Sequence, residues 1–293
     1  MRAAFAEIVD YAGLFPPASC SMADAVRQYD VYRGSPDRWM LGRFVVAATR
    51  LQELGEAILH GAIAIDRPDP WRLTVVMGVH VPDELARIDT FRSTWDSRGV
   101  LADAIEYKVT SVGQVRTLSD QIPHRFRRYF EVPQTGPYRE LVGAIRDAGA
   151  LAKIRTGGTL ADSFPTAGDL TTFLMSVVKL RVPFKATAGL HHPFRGDYPL
   201  TYAPNAERYS MFGFVNLLVA TAELMRGGEG ETAEAILEER DRSAFAMDGD
   251  GIAWRGERYS SAELTAAHQD CFVGFGSCSF REPVDELALG RAA

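Results

Sequence analysis

Cysteine is scarce in this sequence: Cys20, Cys271 and Cys278 are the three among 293 residues. An odd count without a CxxC pair argues against a disulfide framework and a thiolate zinc cluster, and fits reduced thiols in a cytoplasmic protein. Cys278 reads as a buried structural thiol, the usual setting of a free cysteine. Basic tracts are missing too. Lys and Arg total 32 against 38 Asp and Glu, a formal net charge of −6 with no basic-aromatic stripe, so nucleic acid is not an expected partner. The most apolar stretch, residues 211–225, is interrupted by Asn216 and Glu223. It falls short of the ~20 apolar residues of a membrane span and reads as a helix with a buried face, so no membrane partner is expected. At the start of the chain Glu7 and Asp10 follow soon after Arg2, unlike the charged-then-apolar order of an export signal.

What is present is ordinary globular material, 46% hydrophobic and 24% charged, enough for a large core. Short runs rich in Val, Ile, Phe and Ala alternate with amphipathic stretches, the pattern of βα units around a parallel sheet. The runs fall at residues 8–13, 43–49, 73–78, 104–110, 129–133, 151–156, 183–187 and 272–277. Between them, Leu51, Leu54 and Ile58, or Leu141, Ile145 and Ala148, keep helical spacing. Pro82 before Asp83-Glu84 marks a helix start and Gly149 a helix end. Eight such units predict an α/β fold, a single (β/α)8 TIM barrel over residues 1–293. The Asp248-Gly249-Asp250-Gly251 turn, with a second turn at Arg255-Gly256, predicts a small β-hairpin insertion before the last strand.

In such a barrel the active site sits at the carboxyl ends of the strands. Side chains two apart on a strand share a face, so Glu106 with Lys108, Lys153 with Arg155, and Lys185 with Thr187 each point one way. Strands covered on both sides leave the barrel mouth as the cheapest place for these charges. Glu131 ends the fifth strand similarly. The set holds four positive and two negative charges, an excess that suits a carboxylate or phosphate. Thr156, Gly157 and Gly158 after the sixth strand, and Gly189, His191 and His192 after the seventh, add hydroxyl, backbone and imidazole groups for substrate binding. Two lysines on neighbouring strands suggest covalent chemistry. An ammonium beside a second ammonium in a desolvated pocket loses its proton more easily, becoming an amine that condenses with a carbonyl. Glu106 or Glu131 would move protons and Arg155 would clamp the anionic group.

Lys153-Ile154-Arg155-Thr156-Gly157-Gly158 followed by Lys185-Ala186-Thr187-Ala188-Gly189, with Gly276 and Ser277 on the last strand, resembles the deoxyribose-phosphate aldolase family of class I aldolases. The resemblance covers the second half of the chain. It implies that Lys153 is the Schiff-base lysine, Lys185 the neighbour that lowers its pKa, and Glu106 the acidic residue, where the family has a shorter Asp. Arg155 and the His191-His192 pair depart from the family pattern. Over its whole length the chain also resembles a family of uncharacterised bacterial (β/α)8-barrel proteins sharing the Tyr11–Ala18 and Phe184–Pro193 segments, which implies the fold without an activity. Tyr11–Ala18 follows the first strand and is read equally as pocket rim or plain loop.

The leading expectation is therefore a lyase acting on a small anionic carbonyl metabolite, without cofactor. A second reading places His191 or His192 with Glu106 and Glu131 around a divalent metal, as in a metal-dependent aldolase or isomerase. Against it, the His, Cys and carboxylate spacings are weak and the lysines would repel a cation. A third reading is a catalytically silent barrel that binds an anionic metabolite. A homo-oligomer stays open.

Overall fold

Strands that must be covered on both faces pair as a parallel sheet wrapped by helices. The computed structural model of the chain describes residues 1–61, 63 and 69–289. Its first half alternates β1 (Val9–Tyr11), α1 (Met22–Gly34), β2 (Leu41–Ala47), α2 (Leu51–His60), β3 (Trp71–Val76), α3 (Val81–Trp95), β4 (Val100–Lys108), α4 (Val112–Gln121), β5 (Arg127–Glu131) and α5 (Tyr138–Asp147). It continues through β6 (Leu151–Arg155), α6 (Ala167–Leu180), β7 (Phe184–Thr187), a hairpin of β8 (Gly196–Pro199) and β9 (Arg208–Met211), α7 (Phe214–Met225) and α8 (Gly230–Glu238). The chain then adds β10 (Phe245–Met247), β11 (Gly251–Trp254) and β12 (Glu257–Ser260) before α9 (Ser261–Asp270), β13 (Phe272–Ser277) and α10 (Arg281–Leu289).

Eight strands close in the order β1-β13-β7-β6-β5-β4-β3-β2, every pair parallel. This is a TIM barrel, and each of the eight expected runs overlaps one of its strands. Two features exceed expectation. The insertion between the seventh and eighth barrel strands is a three-stranded antiparallel sheet, β10-β11-β12, rather than a single hairpin. The β8-β9 hairpin went unseen in the sequence because its Tyr, Pro and Arg residues show no alternating apolar face. No helix among the described residues is long and apolar enough to cross a membrane.

The helix at 214–225 is buried almost all round, packed against α8, α9 and α6. Its Asn216 therefore needs partners inside the core. It finds them in the carbonyls of Ile236 and Glu239, at 2.8 and 2.9 Å, and in the Arg195 amide, which donates at 3.0 Å. Aromatic packing joins the barrel wall to its helices: Phe184 stacks on Phe272 at 5.3 Å and meets Phe173 of α6 edge-on at 5.2 Å, and Phe275 stacks on Phe214 of α7 at 5.0 Å.

Two strand glycines sit where a side chain would collide with its surroundings. Gly274, at φ 149°, pairs with Lys185 across β13 and β7, and a Cβ there would meet the Ile8 carbonyl at 2.9 Å. On β2, a Cβ at Gly42 would lie 2.3 Å from Asp10 Oδ1 and 2.8 Å from the Glu7 carbonyl. Gly42→Ala is accordingly expected to push the Asp10 carboxylate aside and cost about 1–3 kcal/mol of stability, the usual penalty of overpacking. Urea denaturation at neutral pH measures it, and an unchanged midpoint would show that Asp10 has slack to move.

Candidate active site

Five ionisable side chains meet inside the carboxyl end of the barrel. Lys153 Nζ, from β6, lies 2.6 Å from Glu106 Oε2 on β4 and 2.7 Å from Glu131 Oε2 on β5. Lys185 Nζ, from β7, lies 2.6 Å from Glu106 Oε1 and 2.5 Å from Asp10 Oδ2 on β1. The other oxygen of Asp10 accepts the Arg43 amide at 2.6 Å. All five residues are buried. The result is a ladder, Asp10–Lys185–Glu106–Lys153–Glu131, in which one carboxylate is shared by two ammonium groups.

Burial works against a charge on Glu106, yet the adjacent Lys153 and Lys185 outweigh it and hold the carboxyl at about 2. Burial likewise works against the Lys185 ammonium, but Asp10 and Glu106 prevail and raise its pKa. Lys153 and Lys185, expected to act on each other as neighbouring ammonium groups, are instead bridged by Glu106. All six residues of the expected positive excess line the cavity, while the buried ladder beneath it adds Asp10 and so holds three carboxylates against two lysines. Asp10 was missed because a single Asp in a three-residue strand carries no signal of its direction.

The ladder opens on a cavity of about 910 Å³ lined by Glu106, Glu131, Lys153 and Lys185. Arg155, Gly158, Thr187, Gly189, His191, His192 and Gly276 also line it, as the strand-end argument expects. Among the described residues Arg155 has no carboxylate partner; its Nη2 lies 3.5 Å from the Gly157 carbonyl. Lys108 reaches the cavity from outside, its side chain 76% exposed and 3.8 Å from Glu131. Three candidates serve the frame instead of lining the cavity. Thr156 donates its hydroxyl to the Ala188 carbonyl at 2.7 Å, tying the loops after β6 and β7. A Cβ on Gly157 would strike the Phe164 ring at 2.3 Å. Ser277 Oγ donates to the Ser279 carbonyl at 2.6 Å, so at 3.0 Å it accepts from His191 Nδ1–H.

A second cluster stands on the cavity wall. His191 Nδ1 lies 3.3 Å from Glu282 Oε2 of α10 and 3.9 Å from Cys278 Sγ, and Tyr202 OH reaches Cys278 at 3.4 Å and Glu282 at 3.1 Å. Burial opposes the His191 cation, but Cys278 and Glu282 beside it raise its pKa to about 9. Burial also opposes the Cys278 thiolate, and His191 and Tyr202 outweigh it to lower the thiol's pKa. Cys278, expected as core packing, is thus buried yet lines the cavity. One residue on, His192 bonds Glu286 at 2.8 Å and stacks on Tyr198 at 3.4 Å. Both histidines thus engage α10, and the grouping of a histidine with Glu106 and Glu131 is not assembled. Among the described residues no three His, Cys, Asp or Glu side chains come together to hold a metal ion.

No protein-family profile matches the chain, and no curated protein matches it. Among solved structures it is similar to the Bacillus cereus spore cortex-lytic enzyme SleL, with a TM-score of 0.39 and 11% identity over 98% of this chain and 74% of that one. So distant a likeness carries no argument about chemistry. The closed barrel itself is consistent with an enzyme, since barrel enzymes place their active sites at this end.

The ladder sets a pH dependence. A carboxyl held below its ordinary value of 4.5 stabilises the fold above that value, and the contribution disappears as pH falls toward about 2. A lysine raised above its ordinary 10.5 contributes below that value, and loses the contribution only as pH climbs beyond it. Stability should therefore be flat from about pH 5 to 10 as far as these groups decide it. Lys185→Met leaves Asp10 and Glu106 short of a cation, so a loss of about 3–5 kcal/mol is expected, with the acid limb moved to higher pH. Denaturant titrations across pH read both effects. An acid limb identical to wild type would show that Lys185 does not hold Glu106 ionised.

Proposed function

We propose that this chain is a (β/α)8-barrel enzyme, one domain over residues 1–293, that captures a small anionic carbonyl compound as an imine on Lys153. It then makes or breaks the neighbouring carbon–carbon bond, in the manner of a class I aldolase. The observation that carries the reading is the Glu106 carboxylate shared by Lys153 and Lys185 where the cavity meets the barrel interior.

Lys153 must give up a proton before it attacks as an amine. Glu106 engages Lys153 through Oε2 and Lys185 through Oε1, so the nucleophile is fixed beside a carboxylate that a second cation also contacts. Glu131, 2.7 Å from Lys153 Nζ, is placed to accept that proton. The amine then adds to the carbonyl carbon. The carbonyl oxygen takes up two protons and leaves as water, and the resulting iminium draws electrons from the adjacent bond. In the cleavage direction a carboxylate of the ladder takes the proton of the substrate hydroxyl. The enamine is protonated at carbon, and water releases it from Lys153. Arg155, lining the cavity on the same strand without a carboxylate partner among the described residues, suits the anionic group of the substrate.

Cyanoborohydride added with a panel of keto acids and aldehydes should trap a covalent adduct that mass spectrometry places on the peptide containing Lys153. Lys153→Arg should abolish it, since a guanidinium forms no such imine. Lys185→Met, which takes the second cation from Glu106, should slow trapping near neutral pH. Turnover of a substrate without adduct, at undiminished rate in Lys153→Arg, would exclude the mechanism.

A further inference from the structure

The cavity has two unlike halves. Among the described residues, every lining residue contributed by the chain before β4 is apolar or glycine, including Phe15 and Pro17 after β1, Val45 on β2, and Val76, Met77 and Val79 at the end of β3. From β4 through β7 the lining includes Glu106, Lys108, Glu131, Lys153, Arg155 and Lys185. Because β1, β2 and β3 are adjacent in the barrel, the apolar residues form one continuous sector. Strand order fixes where that sector lies. In the closed ring β2 is four places from β6 in either direction, so Val45 stands across the barrel from Lys153 and Arg155. The Tyr11–Ala18 segment, ambiguous as sequence, supplies part of this wall through Ala12, Phe15, Pro16 and Pro17.

Such a wall selects against hydroxyl-rich substrates. A sugar hydroxyl placed there would leave water and find no side-chain partner, whereas an apolar substituent would be buried with gain. The size of the cavity points the same way. About 910 Å³ lies high in the range of roughly 300–1,000 Å³ seen for pockets that enclose drug-sized ligands. At about 30 Å³ per water a three-carbon keto acid would leave most of the cavity wet.

We infer that the carbonyl substrate carries a ring-sized apolar substituent: an aryl or branched-alkyl keto acid, not a sugar phosphate. Its anionic group faces Arg155, its carbonyl reaches Lys153, and its substituent lies on the β1–β3 sector. The position of the carbonyl rests on the imine reading above; the nature of the substituent rests on the wall alone.

Calorimetry without reductant, on the intact wild-type chain with phenylpyruvate, pyruvate and glyceraldehyde 3-phosphate as probes, tests the wall. Phenylpyruvate should bind at least about tenfold more tightly than pyruvate, the discrimination expected of an apolar pocket. Val45→Thr, which keeps the shape but adds a hydroxyl, should reduce that preference several-fold. Equal affinities, no detectable phenylpyruvate binding, or tighter binding of the triose phosphate would overturn the inference. Trapping is read separately. Tight phenylpyruvate binding without a reduced adduct would refute the imine and keep the wall, whereas an adduct with no preference among probes would do the reverse.

Discussion

Two ammonium groups and three carboxylates can share a barrel interior only if each stays paired, since removing water from an unpaired ion costs several kcal/mol. Much of the mouth follows from that constraint. Glu106 must sit between Lys153 and Lys185, which requires β4 to face β6 and β7 across the interior. Asp10 must reach Lys185 from β1, and it does so over Gly42, where a side chain would collide with its carboxylate. Lys185 in turn lies beside Gly274, whose φ of 149° favours glycine. Gly42, a strand position that looks unchemical in the sequence, is therefore a condition for Asp10 to stand where it does.

The ladder also explains why similar residues at neighbouring positions differ in kind. Lys108, at the end of β4, and Lys153, in the middle of β6, both approach Glu131, at 3.8 and 2.7 Å. The first stands largely in solvent, where an ion pair contributes little. The second is enclosed by two carboxylates and the cavity wall, where a proton transfer changes the balance of the whole set.

The barrel was legible in the sequence because enclosed strands write themselves as short apolar runs, and all eight were readable in that way. The β8-β9 hairpin and the third strand of the insertion were not, since strands outside the barrel wall need no such run. Glu106, Glu131, Lys153, Arg155 and Lys185 were legible from charge at strand ends and from the period of two. Their pairing was not, because register and shear decide which charges meet, and neither is written in one strand. Asp10 was hidden by the shortness of β1. Glu282 and Tyr202 were hidden because they arrive from α10 and from the loop between β8 and β9, whose placement depends on the finished barrel. Thr156 and Ser277 looked like binding groups but hold loops together, a distinction that needs their acceptors, the Ala188 and Ser279 carbonyls.

Closure of the ring joins the ends of the chain. β1 pairs with β13, and Asp10 finds its cation 175 residues later at Lys185. Contacts so distant in sequence are slow to form, because loop entropy is lost before they stabilise anything. A nascent chain that has emerged only through β6 holds Asp10 without its ammonium and β1 without its closing neighbour, so a partial barrel has a charged flaw at its seam. The ion pair of Asp10 thus waits on β7, and the second edge of β1 on β13.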